Sequence, residues 1–184
     1  IAAEGKAEVA ASHNTVTVSV KPTSPMDNNT NLCGGETIIG IDDSYTVPAG
    51  FNYTASADSN VVNAEGVAIC ASIVGGMVYP LRNLDDEKEA ILSASKNKVT
   101  ITKSVFSNAN GVYGGVLNGY KGGIQHGTVS GNTLTFDNSA FTVPDGLKAT
   151  HNLHGDMAAG EFWGTDGTGS DNTVTVNKLS ATIH

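Results

Sequence analysis

Ser170-Asp171-Asn172-Thr173-Val174-Thr175-Val176 is a polar turn, an asparagine and an alternating run of threonine and valine. The same unit occurs at Ser12-His13-Asn14-Thr15-Val16-Thr17-Val18, at Ser95-Lys96-Asn97-Lys98-Val99-Thr100-Ile101 and at Ser130-Gly131-Asn132-Thr133-Leu134-Thr135-Phe136. A degenerate copy, Ser59-Asn60-Val61-Val62, falls in the long gap between the first two. Strict alternation places Val, Leu, Ile and Phe on one face of a short strand and Thr, Asn and Lys on the other. Asn, Gly and Asp at the turn tolerate left-handed backbone.

Each unit carries a second element, a short apolar step ending in paired small residues. The copies are Leu32-Cys33-Gly34-Gly35, Ile73-Val74-Gly75-Gly76-Met77, Val112-Tyr113-Gly114-Gly115-Val116 and Met157-Ala158-Ala159-Gly160-Glu161. Self-similarity at a fixed period in a strand-rich chain indicates stacked repeats, because one unit cannot bury its apolar face alone. The sequence therefore predicts an all-β fold, a parallel β-helix, as one domain over residues 1–184. A repeat of 35 to 40 residues reads as two turns of roughly 18 to 20 residues each, which makes eight or nine turns and a column on the order of 40 Å long. The glycine pairs read as sharp corners, and the asparagines as a stacked amide ladder. A β-sandwich is the alternative fold, and antiparallel ladders would identify it.

Two stretches interrupt the pattern. Residues 21–31, with prolines and asparagines and no strand pattern, read as a loop insertion. Residues 82–94, with acidic residues at the start of a run of helix formers, read as a short helical insertion.

Composition narrows the class. Of 184 residues only 15% are charged and 22 are glycine, which argues against a helix bundle or coiled coil. The net charge of −8 opposes binding to nucleic acid or anionic lipid. No apolar run approaches the roughly 18 residues of a membrane helix, so this segment is not expected to insert into a membrane. The N-terminal residues lack the basic start and apolar stretch of a signal peptide. The C-terminal residues follow straight on from an alternating strand, which suggests a piece of a longer surface protein. Cys33 and Cys70 allow a single disulfide or two separate thiols.

The stretches Asn14-Thr15-Val16-Thr17-Val18, Asn97-Lys98-Val99-Thr100-Ile101-Thr102-Lys103-Ser104, Val112-Tyr113-Gly114-Gly115-Val116-Leu117-Asn118-Gly119 and residues 169–184 resemble repeats in the secreted passenger regions of Gram-negative autotransporter (type V secreted) adhesins. The resemblance lies mainly in residues 95–184 and more weakly in 12–76. It implies a right-handed parallel β-helix on the extracellular face of the bacterial outer membrane. Its commonest role there is adhesion to a host or bacterial surface protein or glycan. No membrane barrel and no passenger protease motif accompany the repeats, and the two cysteines depart from the family's habit.

The candidate sites are few. Tyr113, Tyr120, Phe162 and Trp163 lie near glycine-rich segments, where aromatics can stack on sugars or anchor a protein. Their alternative role is to plug the core. His151, His154 and Asp156 form a weak metal-like group. Asp166 and Asp171, in a Gly/Asp-rich stretch, are weak candidates for calcium. No catalytic residue, metal or cofactor is assigned. A carbohydrate-active β-helix enzyme is the alternative function, drawing on Asp42, Asp43, Asp85, Asp86, Asp156 or Glu161 as paired carboxylates. A β-sandwich pilus or surface-layer subunit is the other.

Overall fold

The computed structural model describes residues 6–19, 31–38, 52–69, 72–79, 89–106, 111–118, 124–142, 157–163 and 166–182. Within them the chain forms strands that recur in a fixed order. The first repeat holds β1 (Lys6–Ala10), β2 (Thr15–Ser19) and β3 (Leu32–Ile38). The second holds β4 (Asn52–Ser56), β5 (Val61–Glu65), β6 (Ala68–Ile69) and β7 (Ile73–Tyr79). The third holds β8 (Glu89–Ser93), β9 (Lys98–Thr102), β10 (Val105–Phe106) and β11 (Val112–Asn118). The fourth holds β12 (Ile124–Thr128), β13 (Thr133–Asp137), β14 (Ser139–Thr142) and β15 (Met157–Trp163). The fifth holds β16 (Asp166–Thr168), β17 (Thr173–Val176) and β18 (Leu179–Thr182). No helix among the described residues is long and apolar enough to cross a membrane.

Each repeat contributes at most one strand to each of four sheets. Sheet A is ordered β1-β4-β8-β12-β16, sheet B β2-β5-β9-β13-β17, sheet C β3-β7-β11-β15 and sheet D β6-β10-β14-β18. Every ladder is parallel. The described residues therefore form none of the antiparallel hairpins of the sandwich alternative. Pairing partners are a whole repeat apart, as in Val62↔Val99 and Leu134↔Val174. The repeat of 35 to 40 residues is thus one layer and not two. Five layers at about 4.8 Å spacing give a stack about 19 Å tall, half the length expected from the sequence.

The alternation works as read. In sheet B, Val62, Val99 and Leu134 form one inward column, and Ala64, Ile101 and Phe136 the next; all are buried. These residues pack with Leu32, Ile73 and Val112 of sheet C. A second core lies on the other side, where Tyr53, Ala55, Ala90 and Leu92 of sheet A meet Val78 and Leu117 of sheet C.

The asparagine ladder divides the two cores. Asn14, Asn60, Asn97, Asn132 and Asn172 sit at the turn from sheet A to sheet B. In the first four, the backbone N–H and the side-chain Nδ2 both donate to the Oδ1 of the asparagine in the next layer, at 2.9–3.1 Å, and Asn172 Nδ2 donates to Val129 O. The residue before each asparagine is left-handed: His13, Ser59, Lys96, Gly131 and Asp171 have φ between 57° and 66°. Ladder and turn together bend the wall inward until it meets sheet C. A Cβ on Gly76 would overlap the Ala57 carbonyl and stand 2.6 Å from Asn97 Nδ2, and Gly35 and Gly115 face Asn60 and Asn132 in the same way.

The glycine pairs therefore are not corners. They lie inside β3, β7 and β11, where the strand changes phase and both residues of the pair are buried. Only a residue without a Cβ allows this close approach.

The helical insertion over 82–94 also needs correction. Glu89–Ser93 is strand β8, with Ala90 and Leu92 buried and Glu89 and Ile91 exposed. It is hydrogen-bonded on both sides, to β4 and β12. Two parallel neighbours supply backbone partners and a period of two, and this outweighs the helix propensity of the residues. Residues 82–88, residues 21–30 of the loop insertion 21–31, and the acidic residues at 42, 43, 85 and 86 lie outside the described residues.

Candidate functional site

The outer face of sheet C carries a groove of about 320 Å³. The parallel register builds it in rows that run across the strands. One row is Cys33↔Val74↔Tyr113↔Ala158. The next is Glu36↔Met77↔Val116↔Glu161. A third holds Ile38↔Tyr79 and Asn118↔Trp163. The phase change at each glycine pair decides which residues face out. Inward side chains before the pair join the first core, inward side chains after it join the second, and Cys33, Glu36, Met77, Tyr79, Tyr113 and Glu161 remain on the groove side.

Tyr79 and Tyr113 are the aromatic walls of this groove, and Glu36 and Glu161 are carboxylates on the two edge strands of the sheet. Asn31, Ser72 and Asn118 add polar groups, and Asn31 Oδ1 accepts from the Ser72 N–H at 3.2 Å. Glu36 and Glu161 belong to the first and fourth strands of sheet C, so about 14 Å separates their strands. Paired carboxylates that cleave glycosidic bonds stand about 5–9.5 Å apart. The strands that carry the two glutamates of the groove are farther apart than that.

Cys33 lines the same groove as a free thiol; Cys70, the partner considered for it from sequence, lies outside the described residues. The Cys33 thiol donates to Gly35 O at 3.3 Å. Its pKa is pushed up to about 11, first by burial and then by the negative charge of Glu36. At neutral pH it is a protonated thiol and a poor nucleophile.

Of the aromatic residues singled out in the sequence, the structure places one in the groove, Tyr113. Phe162 does not face outward. It packs on the second core, with its ring over Gly127 and Gly167, where a Cβ on either glycine would overlap it. Those glycines leave a hole in the inner face of sheet A that the phenyl ring fills. Trp163 lies on β15 in register with the groove residue Asn118. Tyr120 lies outside the described residues.

His151, His154 and Asp156 also lie outside them. Asp166 is exposed on sheet A and accepts at its Oδ2 a 2.9 Å contact with His126 Nδ1. Asp171 holds one of the left-handed turns at the sheet A to sheet B corner. Among the described residues no group of three or more His, Cys, Asp or Glu side chains comes together.

Sequence reading missed Cys33, Glu36, Tyr79 and Glu161 as neighbours. The signal was present in the aligned Gly-Gly units: the residue before each pair and the residue after it recur at matching positions, and both face out. No family model, curated protein or solved structure matches the chain.

Proposed function

We propose that the chain is a segment of a right-handed parallel β-helix that serves as a non-catalytic attachment module on a bacterial cell surface, with the sheet C groove as its ligand site. The observation that carries this reading is the groove itself: Tyr79 and Tyr113 set among Asn31, Ser72, Asn118 and two carboxylates. Aromatic faces next to amide, hydroxyl and carboxylate acceptors suit a sugar, whose C–H face stacks while its hydroxyls hydrogen-bond.

Three further features support the reading. Among the described residues all ladders are parallel and pair one repeat with the next, as a solenoid requires. The crossover between parallel strands of one sheet is right-handed in nearly all proteins. The net charge of −8, with Glu36 and Glu161 in the groove, favours neutral or amino sugars over sialylated or sulfated ones.

The test is a glycan array followed by titration of the positive sugars against wild-type, Tyr79→Ala and Tyr113→Ala protein. A neutral or amino-sugar ligand is expected, with each substitution weakening it about tenfold, or about 1.4 kcal/mol. Binding of anionic glycans only, or affinity unchanged in both variants, refutes the site.

A further inference from the structure

The strands of sheet C carry Glu36 and Glu161 and, among the described residues, no Lys, Arg or His. The lysines and histidines of the described residues stand elsewhere. Lys6 and His126 are on sheet A, Lys98 is on sheet B, His13 and Lys96 are at the corner between them, and Lys103 and Lys178 are at the turn that leaves sheet B. The groove on the outer face of sheet C therefore presents local negative charge, and the net charge of −8 adds to it. The charge of Glu36 is felt inside the groove, where it helps to raise the pKa of the Cys33 thiol.

The register sets these charges among aromatic rings. Glu36 and Glu161 stand at the two ends of one row, with Met77 and Val116 between them. Tyr113 precedes that row on one inner strand, and Tyr79 follows it on the other. The Tyr113 ring lies over Gly111, where a Cβ would overlap it, so the glycine keeps the place of the ring open. A ligand lying across the strands meets a carboxylate at each end and a tyrosine on each flank. The end strands are about 14 Å apart. A single sugar ring is shorter than that, and an oligomer is not.

We infer that the groove recognises protonated amines, and that its ligand is an oligomer of an amino sugar with free amino groups, one amine placed by Glu36 and another by Glu161. The inference rests on the reading of the groove as a sugar site and narrows it to one charge state. A protonated amine gains from a carboxylate and from the face of a tyrosine ring. N-acetylation keeps the sugar ring and removes the positive charge, so the groove discriminates against it. Glu36 is exposed and Glu161 half-buried, so each ion pair is weak alone and two on one ligand act together.

The test titrates the chain at low salt, by calorimetry, with the glucosamine tetramer, its fully N-acetylated counterpart and the two monomers. The free-amine tetramer is expected to bind about tenfold more tightly than the acetylated one, and the difference to shrink as salt is added. Glu36→Gln and Glu161→Gln keep the shape of the side chain, and each is expected to reduce that preference about threefold. Glu8→Gln removes the same charge from the exposed face of sheet A and is expected to leave it unchanged. The monomers, too short to reach both glutamates, are expected to show a smaller preference than the tetramers.

Equal affinity for the two tetramers overturns the inference. So does a preference that survives in both groove variants, one that falls as far in Glu8→Gln, one as large for the monomers, or a free-amine tetramer that does not bind. The sugar site is judged separately. If the acetylated tetramer binds and Tyr79→Ala and Tyr113→Ala weaken it, the site stands and the charge selection alone fails. If neither tetramer nor any sugar of the glycan array binds, the site itself fails.

Discussion

Replacing Asn97 by alanine removes the centre of the amide ladder, and its cost can be worked from the hydrogen bonds. Asn97 and Asn60 are both 0% exposed. Asn97 Oδ1 accepts from the Asn60 N–H at 2.9 Å and from Asn60 Nδ2 at 3.1 Å, and Asn97 Nδ2 donates to Asn132 Oδ1 at 3.1 Å. Without the side chain, the buried Asn60 N–H has no acceptor, at a cost of about 1–3 kcal/mol. The two amide–amide bonds go as well, at about 1 kcal/mol each, because their other partners keep a bond: Asn60 Nδ2 to Ala11 O and Asn132 Oδ1 from the Asn97 N–H. The expected loss is about 4 kcal/mol. Asn14→Ala is the control. Asn14 is exposed at the end of the ladder, and Asn60 Oδ1 still accepts from the Asn14 N–H, so the loss there is at most about 1 kcal/mol. Urea unfolding, followed by circular dichroism and tryptophan fluorescence with coincident transitions, measures both. An Asn97→Ala variant within about 1 kcal/mol of Asn14→Ala refutes the view that the ladder holds the layers together.

Three further outcomes follow from the same geometry. Gly76→Ala drives a Cβ into the Ala57 carbonyl and the Asn97 amide, and is expected to cost about 3 kcal/mol in thermal or urea unfolding, since backbone cannot yield there. At Gly131, φ is +66° and the nearest atom to an added Cβ is Lys96 Cγ at 3.6 Å, so Gly131→Ala pays only for conformation, about 1 kcal/mol, whereas Lys96→Gly at the matching turn is neutral or stabilising. The Cys33 thiol, raised from 9.0 to about 11, keeps its proton in the folded chain between those values while the unfolded chain loses it. Its contribution to stability is therefore full below pH 9 and falls as pH rises towards 11. In a Cys70→Ser background, alkylation of the native protein should show a midpoint near pH 11 that drops on Glu36→Gln; a midpoint near 9 contradicts the burial of the thiol.

Sequence alone determined the strand content, the repeat and the ladder. Alternation of Thr with Val or Leu sorts side chains by face whatever the neighbours are, and the recurring asparagine marks one corner of every layer, Asn60 in its degenerate copy included. The number of layers was not legible, because a period of 35 to 40 residues is the same whether the chain circles once or twice within it; only the pairing of Val62 with Val99 decides. Local propensity misled at Glu89–Ser93, where acidic and aliphatic residues favour a helix until β4 and β12 supply backbone partners on both sides.

The site depended on tertiary structure for the same reason. Gly75 and Gly76 look like a turn in isolation and become the seam of the interior only because the Asn97 corner presses against them. Phe162 resembles an exposed anchor and is drawn inward by the space that Gly127 and Gly167 leave on another sheet. Cys33, Tyr79, Tyr113 and Glu161 share one groove because parallel register stacks residues a whole repeat apart. Local patterning decides which way a side chain faces; which distant side chains it meets is set by the register and closure of the sheets, and those are properties of the packed chain.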